Sequence, residues 1–136
     1  MRHIKYIAIH CTATQQSSTI ERIKNYWKNN LGWRNPGYHI IIKPDGSAVE
    51  LLPIDKVSNG VKGFNSVSIN ISYIGGVDAK NKPLDNRTDA QKATLLTLVK
   101  RYKEMFPNAI VQGHRDFGAN KACPSFDVKE WLKEVL

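Results

Sequence analysis

The sequence predicts an α/β fold: a single mixed β-sheet of about five strands flanked by three main helices. Three observations predict it. Short apolar, β-branched runs recur between turn residues. Three longer segments place apolar residues at helical spacing behind a residue fit to cap a helix. The resulting order, β, α, β, β, β, α, β, α, is that of a sheet with helices packed on it. The 136 residues suit one domain, residues 1–136, and 41% hydrophobic content is enough for a core.

The first strand is expected over Ile4–His10, where Ile4, Ile7 and Ile9 make a buried run. Thr12 to Ser18 reads as a polar loop. Thr19 is placed to cap a helix in which Ile20, Ile23, Tyr26 and Trp27 recur at helical spacing, with Gly32 as its stop. After the turn-rich Trp33–Gly37, Tyr38–Lys43 forms a second strand. The turn Pro44-Asp45-Gly46 returns the chain through a third, Ala48–Leu52, to make a hairpin. Asp55 to Ser66 reads as a long loop, and Ser68–Ile74 as a fourth, alternating strand closed by Gly75-Gly76. Thr88 with Gln91 matches a capping box for a long amphipathic helix that ends before Pro107. Ala109–Gln112 is a short fifth strand, and Asp127 caps a last helix with Val128, Trp131, Leu132 and Val135 inward.

No run approaches the ~20 apolar residues of a membrane span. Met1-Arg2-His3-Ile4 leads straight into the first strand with no charged n-region and apolar h-region. The expectation is a protein without a signal peptide, one that stays inside or leaves by a route this sequence does not encode. A formal charge of +8 suits an anionic partner such as nucleic acid, an acidic membrane surface or an anionic wall polymer. The basic residues are scattered, however, and no nucleic-acid recognition motif accompanies them. A monomer is the default state.

The chemistry concentrates in Gly113-His114-Arg115-Asp116 and Lys121-Ala122-Cys123-Pro124, a loop between the fifth strand and the last helix. Two residues do not make a typical zinc site, which takes four ligands, or three and an open position. His10, at the end of the first strand, is the best third candidate. If strand ends meet, His10, His114 and Cys123 form a His2Cys set with one open position, a catalytic zinc geometry at the strand ends. Taken one at a time, each of the three is more often structural than a ligand. Two cysteines give no disulfide framework. Cys11 follows His10 on a strand and so points to the opposite face, which disfavours a bridge to Cys123.

Five segments occur in register: His10-Cys11-Thr12-Ala13-Thr14; Gly37-Tyr38-His39 through Asp45-Gly46; Ser68-Ile69-Asn70-Ile71 with Gly75-Gly76; Gly113-His114-Arg115-Asp116; and Lys121-Ala122-Cys123-Pro124-Ser125-Phe126-Asp127. Together they resemble the zinc-dependent N-acetylmuramoyl-L-alanine amidases of the phage-lysozyme type, relatives of the peptidoglycan recognition proteins. The resemblance implies one zinc ion on His10, His114 and Cys123, with Tyr38 and Lys121 as the catalytic pair. It implies hydrolysis of the amide between N-acetylmuramic acid and L-alanine in bacterial peptidoglycan, in phage lysis or wall turnover. Zinc brings the pKa of its bound water far down, toward ~7, which suits amide hydrolysis at neutral pH. His39 should point away from Tyr38 and is expected to be structural or to support a ligand. Many such relatives carry a histidine in the loop corresponding to residues 58–65, and this chain has none there. Lys62, Phe64 and Asn65 are candidates for substrate contact in its place.

Four other readings compete. A non-catalytic peptidoglycan-binding module would share the fold. A Cys123–His114 thiol hydrolase would need an activated thiolate. A copper site would use the same ligand types, usually on an all-β scaffold. A nucleic-acid binder is suggested by charge alone.

Overall fold

The computed structural model describes residues 2–136. The sheet has five strands: β1 (Tyr6–Cys11), β2 (Ile40–Ile42), β3 (Ala48–Glu50), β4 (Ser68–Tyr73) and β5 (Ile110–Gly113), in the order β3-β2-β4-β1-β5. Three helices flank it: α1 (Ile20–Asn25), α2 (Asp89–Met105) and α3 (Val128–Val135). The β2–β4, β4–β1 and β1–β5 pairs are parallel, and β3 closes one edge antiparallel to β2. The expected mixed sheet is therefore the observed one, with strand ends displaced by no more than two residues.

Local signals set the helix starts. The Thr19 hydroxyl accepts from the Arg22 N–H at 3.2 Å, and the Asp127 carboxylate accepts from the Glu130 N–H at 3.1 Å. In the capping box of α2, the Gln91 N–H donates to Thr88 Oγ1 and the Thr88 N–H to Gln91 Oε1, both at 3.0 Å. Gln91 is also fully buried, and its amide donates to the carbonyls of Ile42 and Ile74. One residue thus caps α2 and ties its first turn to the ends of β2 and β4.

The first helix departs from expectation. After Asn25 it widens into a π-type turn over Tyr26–Asn30, with the Leu31 N–H bonded to the Tyr26 carbonyl, before Gly32 turns the chain at φ +69°. Trp27 lies inward beside Tyr38 (ring centroids 5.3 Å apart), and Tyr26 is exposed.

The two faces of the sheet differ in chemistry. Ile7, Ile9, Ile69, Ile71 and Tyr73 belong to the apolar core that takes in Leu95, Leu98 and Val99 of α2 and Val128 and Trp131 of α3. Strand periodicity puts Ala8, His10, Ser68, Asn70 and Ser72 on the other face, and all five are buried. Parallel strands buried on both sides are ordinarily apolar throughout. Here β4 turns Ser68, Asn70 and Ser72 to one side, beside His10, and it is the side that carries the site.

The segment leading into α3 is clamped by Arg87. Its guanidinium lies 3.4 Å from the centroid of Phe126 and 5.7 Å from that of Trp131, and it forks onto Asp85 at 2.9 and 3.0 Å. We expect Arg87→Met to destabilise the protein by about 2 kcal/mol, the sum of a well-packed cation–π contact and a half-buried ion pair. The check is a lowered urea midpoint at unchanged m-value. An unshifted midpoint would mean that Phe126 and Trp131 hold this segment without the cation.

Candidate metal centre and cleft

The parallel register makes the site. β1 and β5 are neighbours with Ile9 opposite Gly113, so His10 on β1 stands beside His114, the first residue after β5. The two imidazoles are 4.9 Å apart. The turn His114–Phe117 is held where it leaves the strand by Asp116, whose carboxylate accepts from the Gly113 N–H at 2.9 Å. Cys123 is brought in by a bond between segments, from the Arg115 N–H to its carbonyl at 2.9 Å. Beyond it, the Tyr73 hydroxyl donates to the Pro124 carbonyl and the Ser125 hydroxyl to the Gly76 carbonyl. Gly76, at φ +99°, allows this approach: a Cβ there would lie 2.4 Å from Cys11 Sγ.

Among the described residues, His10, His114 and Cys123 are the group of metal-ligating side chains whose donor atoms converge, all within 4.8 Å of one another. Cys123 Sγ is 3.8 Å from His10 Nδ1 and accepts a hydrogen bond from the Cys11 N–H at 3.2 Å. Tetrahedral zinc with N and S ligands sets its donors roughly 3.3–3.8 Å apart, so this donor set fits the ion with little movement. As expected, Cys11 lies on the other face of β1, in the apolar core, and both cysteines are free.

Charge favours the same reading. Burial, with the charges of His114 and Lys121 adding to it, pushes His10 down to about 3, and burial with the Lys121 charge also lowers His114. Both rings are therefore neutral at pH 7, the state that binds a metal. Contact with the Cys11 thiol, together with burial, pushes the Cys123 thiol well up. Burial likewise raises the Tyr38 phenol well above its ordinary value, so Tyr38 is a hydrogen-bond donor.

His114 and Cys123 line a cleft of about 640 Å³, and His10 is buried behind them. Thr12 to Thr14 after β1 form one wall and Trp27 and Trp33 another, with His114, Lys121 and Cys123 at the base. Tyr38 precedes β2 and does not begin it. Its ring stands 5.0 Å from that of His10, and its hydroxyl donates to the Cys11 carbonyl at 3.1 Å. Lys121 is exposed at the same cleft. The structure thus brings together all five residues singled out for metal binding and catalysis. It places Lys62, Phe64 and Asn65 elsewhere. Phe64 packs edge-on to Tyr6 and beside Phe117, the Asn65 amide accepts from the Val61 N–H, and Lys62 is exposed away from the cleft. The part of that loop reaching the cleft is Asn59 and Gly60.

His39 is also buried, and burial lowers it to about 4. An unfolded histidine binds its proton near 6.5, above the folded values of His10 and His39, so acid favours the unfolded chain. The stability these rings lend is intact above about pH 6.5 and drains away below it, by up to ~1.4 kcal/mol per pH unit per ring. For the metal-free protein we expect the urea midpoint to fall steadily from pH 7 to pH 4. A flat midpoint over that interval would show that neither ring is held neutral.

A mixed α/β sheet with two histidines and a cysteine converging beside an aromatic-walled cleft is the arrangement of a hydrolase fold that can hold a metal. The chain belongs to the N-acetylmuramoyl-L-alanine amidase family, whose profile matches residues 1–126. It is 40% identical over 129 residues to the endolysin of Klebsiella phage KP32, covering 94% of this chain and 85% of that one. It is 37% identical over 126 residues to the endolysin of Enterobacteria phage K11, covering 92% and 83%. Among solved structures, the Ph2119 endolysin from Thermus scotoductus MAT2119 bacteriophage Ph2119 superposes with a TM-score of 0.83 at 25% identity, covering 98% of this chain and 85% of that one.

Proposed function

We propose that this chain hydrolyses the amide between N-acetylmuramic acid and L-alanine in bacterial peptidoglycan, with one zinc ion held by His10, His114 and Cys123. The observation that carries the reading is the convergence of those three donors beside a cleft lined by His114, Cys123, Tyr38 and Lys121. Zinc, when bound, supplies Lewis acidity at neutral pH.

The chain's own residues supply the rest. The neutral Tyr38 hydroxyl and the Lys121 ammonium are hydrogen-bond donors set where negative charge grows on the scissile carbonyl oxygen; one such donor is typically worth ~100- to 1000-fold in rate. In the resting protein the Tyr38 hydroxyl is engaged by the Cys11 carbonyl, which keeps it aimed along the end of β1. Trp27, Trp33 and the Thr12–Thr14 segment give the cleft walls that orient a stem peptide and shed water from the reacting bond. From the loop over residues 58–65, the groups positioned to touch substrate are Asn59 and the Gly60 backbone.

The test is digestion of purified peptidoglycan, with soluble fragments read by mass spectrometry. Zinc-loaded protein should release stem peptides that begin with L-alanine and leave glycan strands intact, and a chelated sample should release nothing. Zinc bound one per chain, with the protein sedimenting on the wall and no peptide released, would establish a binding module in place of an enzyme.

A further inference from the structure

Beneath the cleft, four buried side chains on four segments form one hydrogen-bonded row: His39, Ser58, Asn70 and His10. Its polarity follows from the two backbone groups at its far end. His39 Nε2 lies 2.7 Å from the Lys56 carbonyl, which only accepts, so Nε2 carries the hydrogen. His39 Nδ1 lies 3.0 Å from the Asn70 backbone N–H, which only donates, so Nδ1 offers a lone pair. Arg2 Nη2 is 3.3 Å from Nε2, a contact between two donors, and it donates to the carbonyls of Ile54 and Ser68. The Ser58 hydroxyl, 3.1 Å from His39 Nδ1, therefore donates to that lone pair and turns its own toward Asn70 Nδ2, 2.8 Å away. That fixes which way the Asn70 amide faces. Its Oδ1 is 2.8 Å from His10 Nε2. A carbonyl oxygen accepts, so His10 Nε2 carries the hydrogen, and the free lone pair is on Nδ1, the atom facing Cys123 Sγ.

We infer that Asn70 is a positioning residue: its amide, oriented by His39 through Ser58, holds His10 in the tautomer whose Nδ1 lone pair points into the metal centre. What Nδ1 binds rests on the zinc reading above; the tautomer does not. Gly60 belongs to the same arrangement. A Cβ there would lie 2.3 Å from Asn70 Cγ and 2.3 Å from its Oδ1, so no side chain fits at residue 60 while the amide holds its place. The loop that lacks a histidine thus carries, at its point of closest approach, a glycine against an asparagine of β4. The sheet supplies the support for His10 from within.

The test begins with ¹⁵N-labelled, metal-free wild-type protein and long-range ¹H–¹⁵N correlation of the histidine rings. His10 is expected with Nε2 protonated and Nδ1 bare, and His39 the same. A His10 protonated on Nδ1, or a mixture, overturns the inference before any metal is added. Asn70→Leu keeps the bulk and removes both hydrogen bonds. It should mix the His10 tautomers and weaken zinc binding ~10- to 100-fold in competition with a chelator, the usual cost of losing a partner of a ligating histidine. Asn70→Asp still accepts from Nε2–H; it should keep the tautomer and bind zinc within about threefold of wild type. Wild-type affinity and an unchanged tautomer in Asn70→Leu, or loss of the tautomer in Asn70→Asp, would each refute the assignment. If Asn70→Leu does not fold, the wild-type spectrum and the aspartate variant still decide. A wild-type protein with the expected tautomer that takes up no zinc leaves Asn70 as the group orienting His10 and sinks the metal reading instead.

Discussion

Cys123→Ala is expected to leave the fold standing while removing zinc and, with it, hydrolysis of peptidoglycan, by ~1000-fold or more. The fold survives because the bonds that place this segment are made by backbone and by its neighbours. The Arg115 N–H reaches the Cys123 carbonyl, and Tyr73 and Ser125 hold the residues that follow. What the variant lacks is the thiolate, the one anionic donor among the three, and two neutral imidazoles alone hold zinc weakly. In the wild type the same thiol governs the pH dependence. Its contact with the Cys11 thiol and its burial hold it protonated at neutral pH, whereas His10 and His114 are already neutral. Binding zinc must therefore expel about one proton, and affinity should rise close to tenfold per pH unit around pH 7. Metal content after gel filtration against a weak chelator, and calorimetry in buffers of different ionisation enthalpy, would read both effects. Stoichiometric zinc in the alanine variant would mean that another donor has taken the place, and Cys11, whose backbone N–H already touches Cys123 Sγ, would be the first to examine.

How much of this site was legible in the sequence depended on whether its cause was local. Thr19, Thr88 and Asp127 announce the helix starts because a cap is satisfied within three residues, and each does so in the structure. His10, His114 and Cys123 were legible as chemistry. Their meeting depends on β5 pairing with β1 with Ile9 opposite Gly113, a register set by packing across more than a hundred residues. The widened turn at Tyr26 left no sequence mark, since Ile20, Ile23 and Trp27 suit an unbroken helix equally well. Asn70 and Ser58 were missed for a different reason. Ser68, Asn70 and Ser72 alternate with Ile69, Ile71 and Tyr73, which reads as an ordinary strand with one wet face. Only the position of β4 between β2 and β1, under the loop over residues 55–66, shows that the polar face is dry. A buried asparagine needs partners, and its partners lie 60 residues away at His10 and 12 away at Ser58. Phe64 and Asn65 stand in the loop that lacks the histidine of many relatives, yet their side chains stay within Tyr6, Phe117 and the loop itself.

Tyr38→Phe is the second large effect, and it separates catalysis from metal binding. The ring packs against His10 and Trp27, so phenylalanine keeps the wall and loses only the hydroxyl. Zinc content should be unchanged and kcat should fall ~100- to 1000-fold with little movement in KM, the mark of a contact made mainly in the transition state. Burial, with the two thiols adding to it, holds the phenol protonated, so no loss of rate from its ionisation is expected below about pH 10. Lys121→Met should produce a loss of the same order by a different path. Its side chain is exposed at the cleft, and its charge reaches both histidines, lowering each. The methionine variant should therefore also show an upward shift of His114 by NMR, which Tyr38→Phe should not. If both residues donate to the same developing oxyanion, the double variant will lose less than the product of the single losses, because each donor is partly idle once the other is gone. Losses that multiply would place the two groups on different atoms of the substrate. Full kcat in Tyr38→Phe would end its catalytic assignment and leave the Cys11 carbonyl as the hydroxyl's only business.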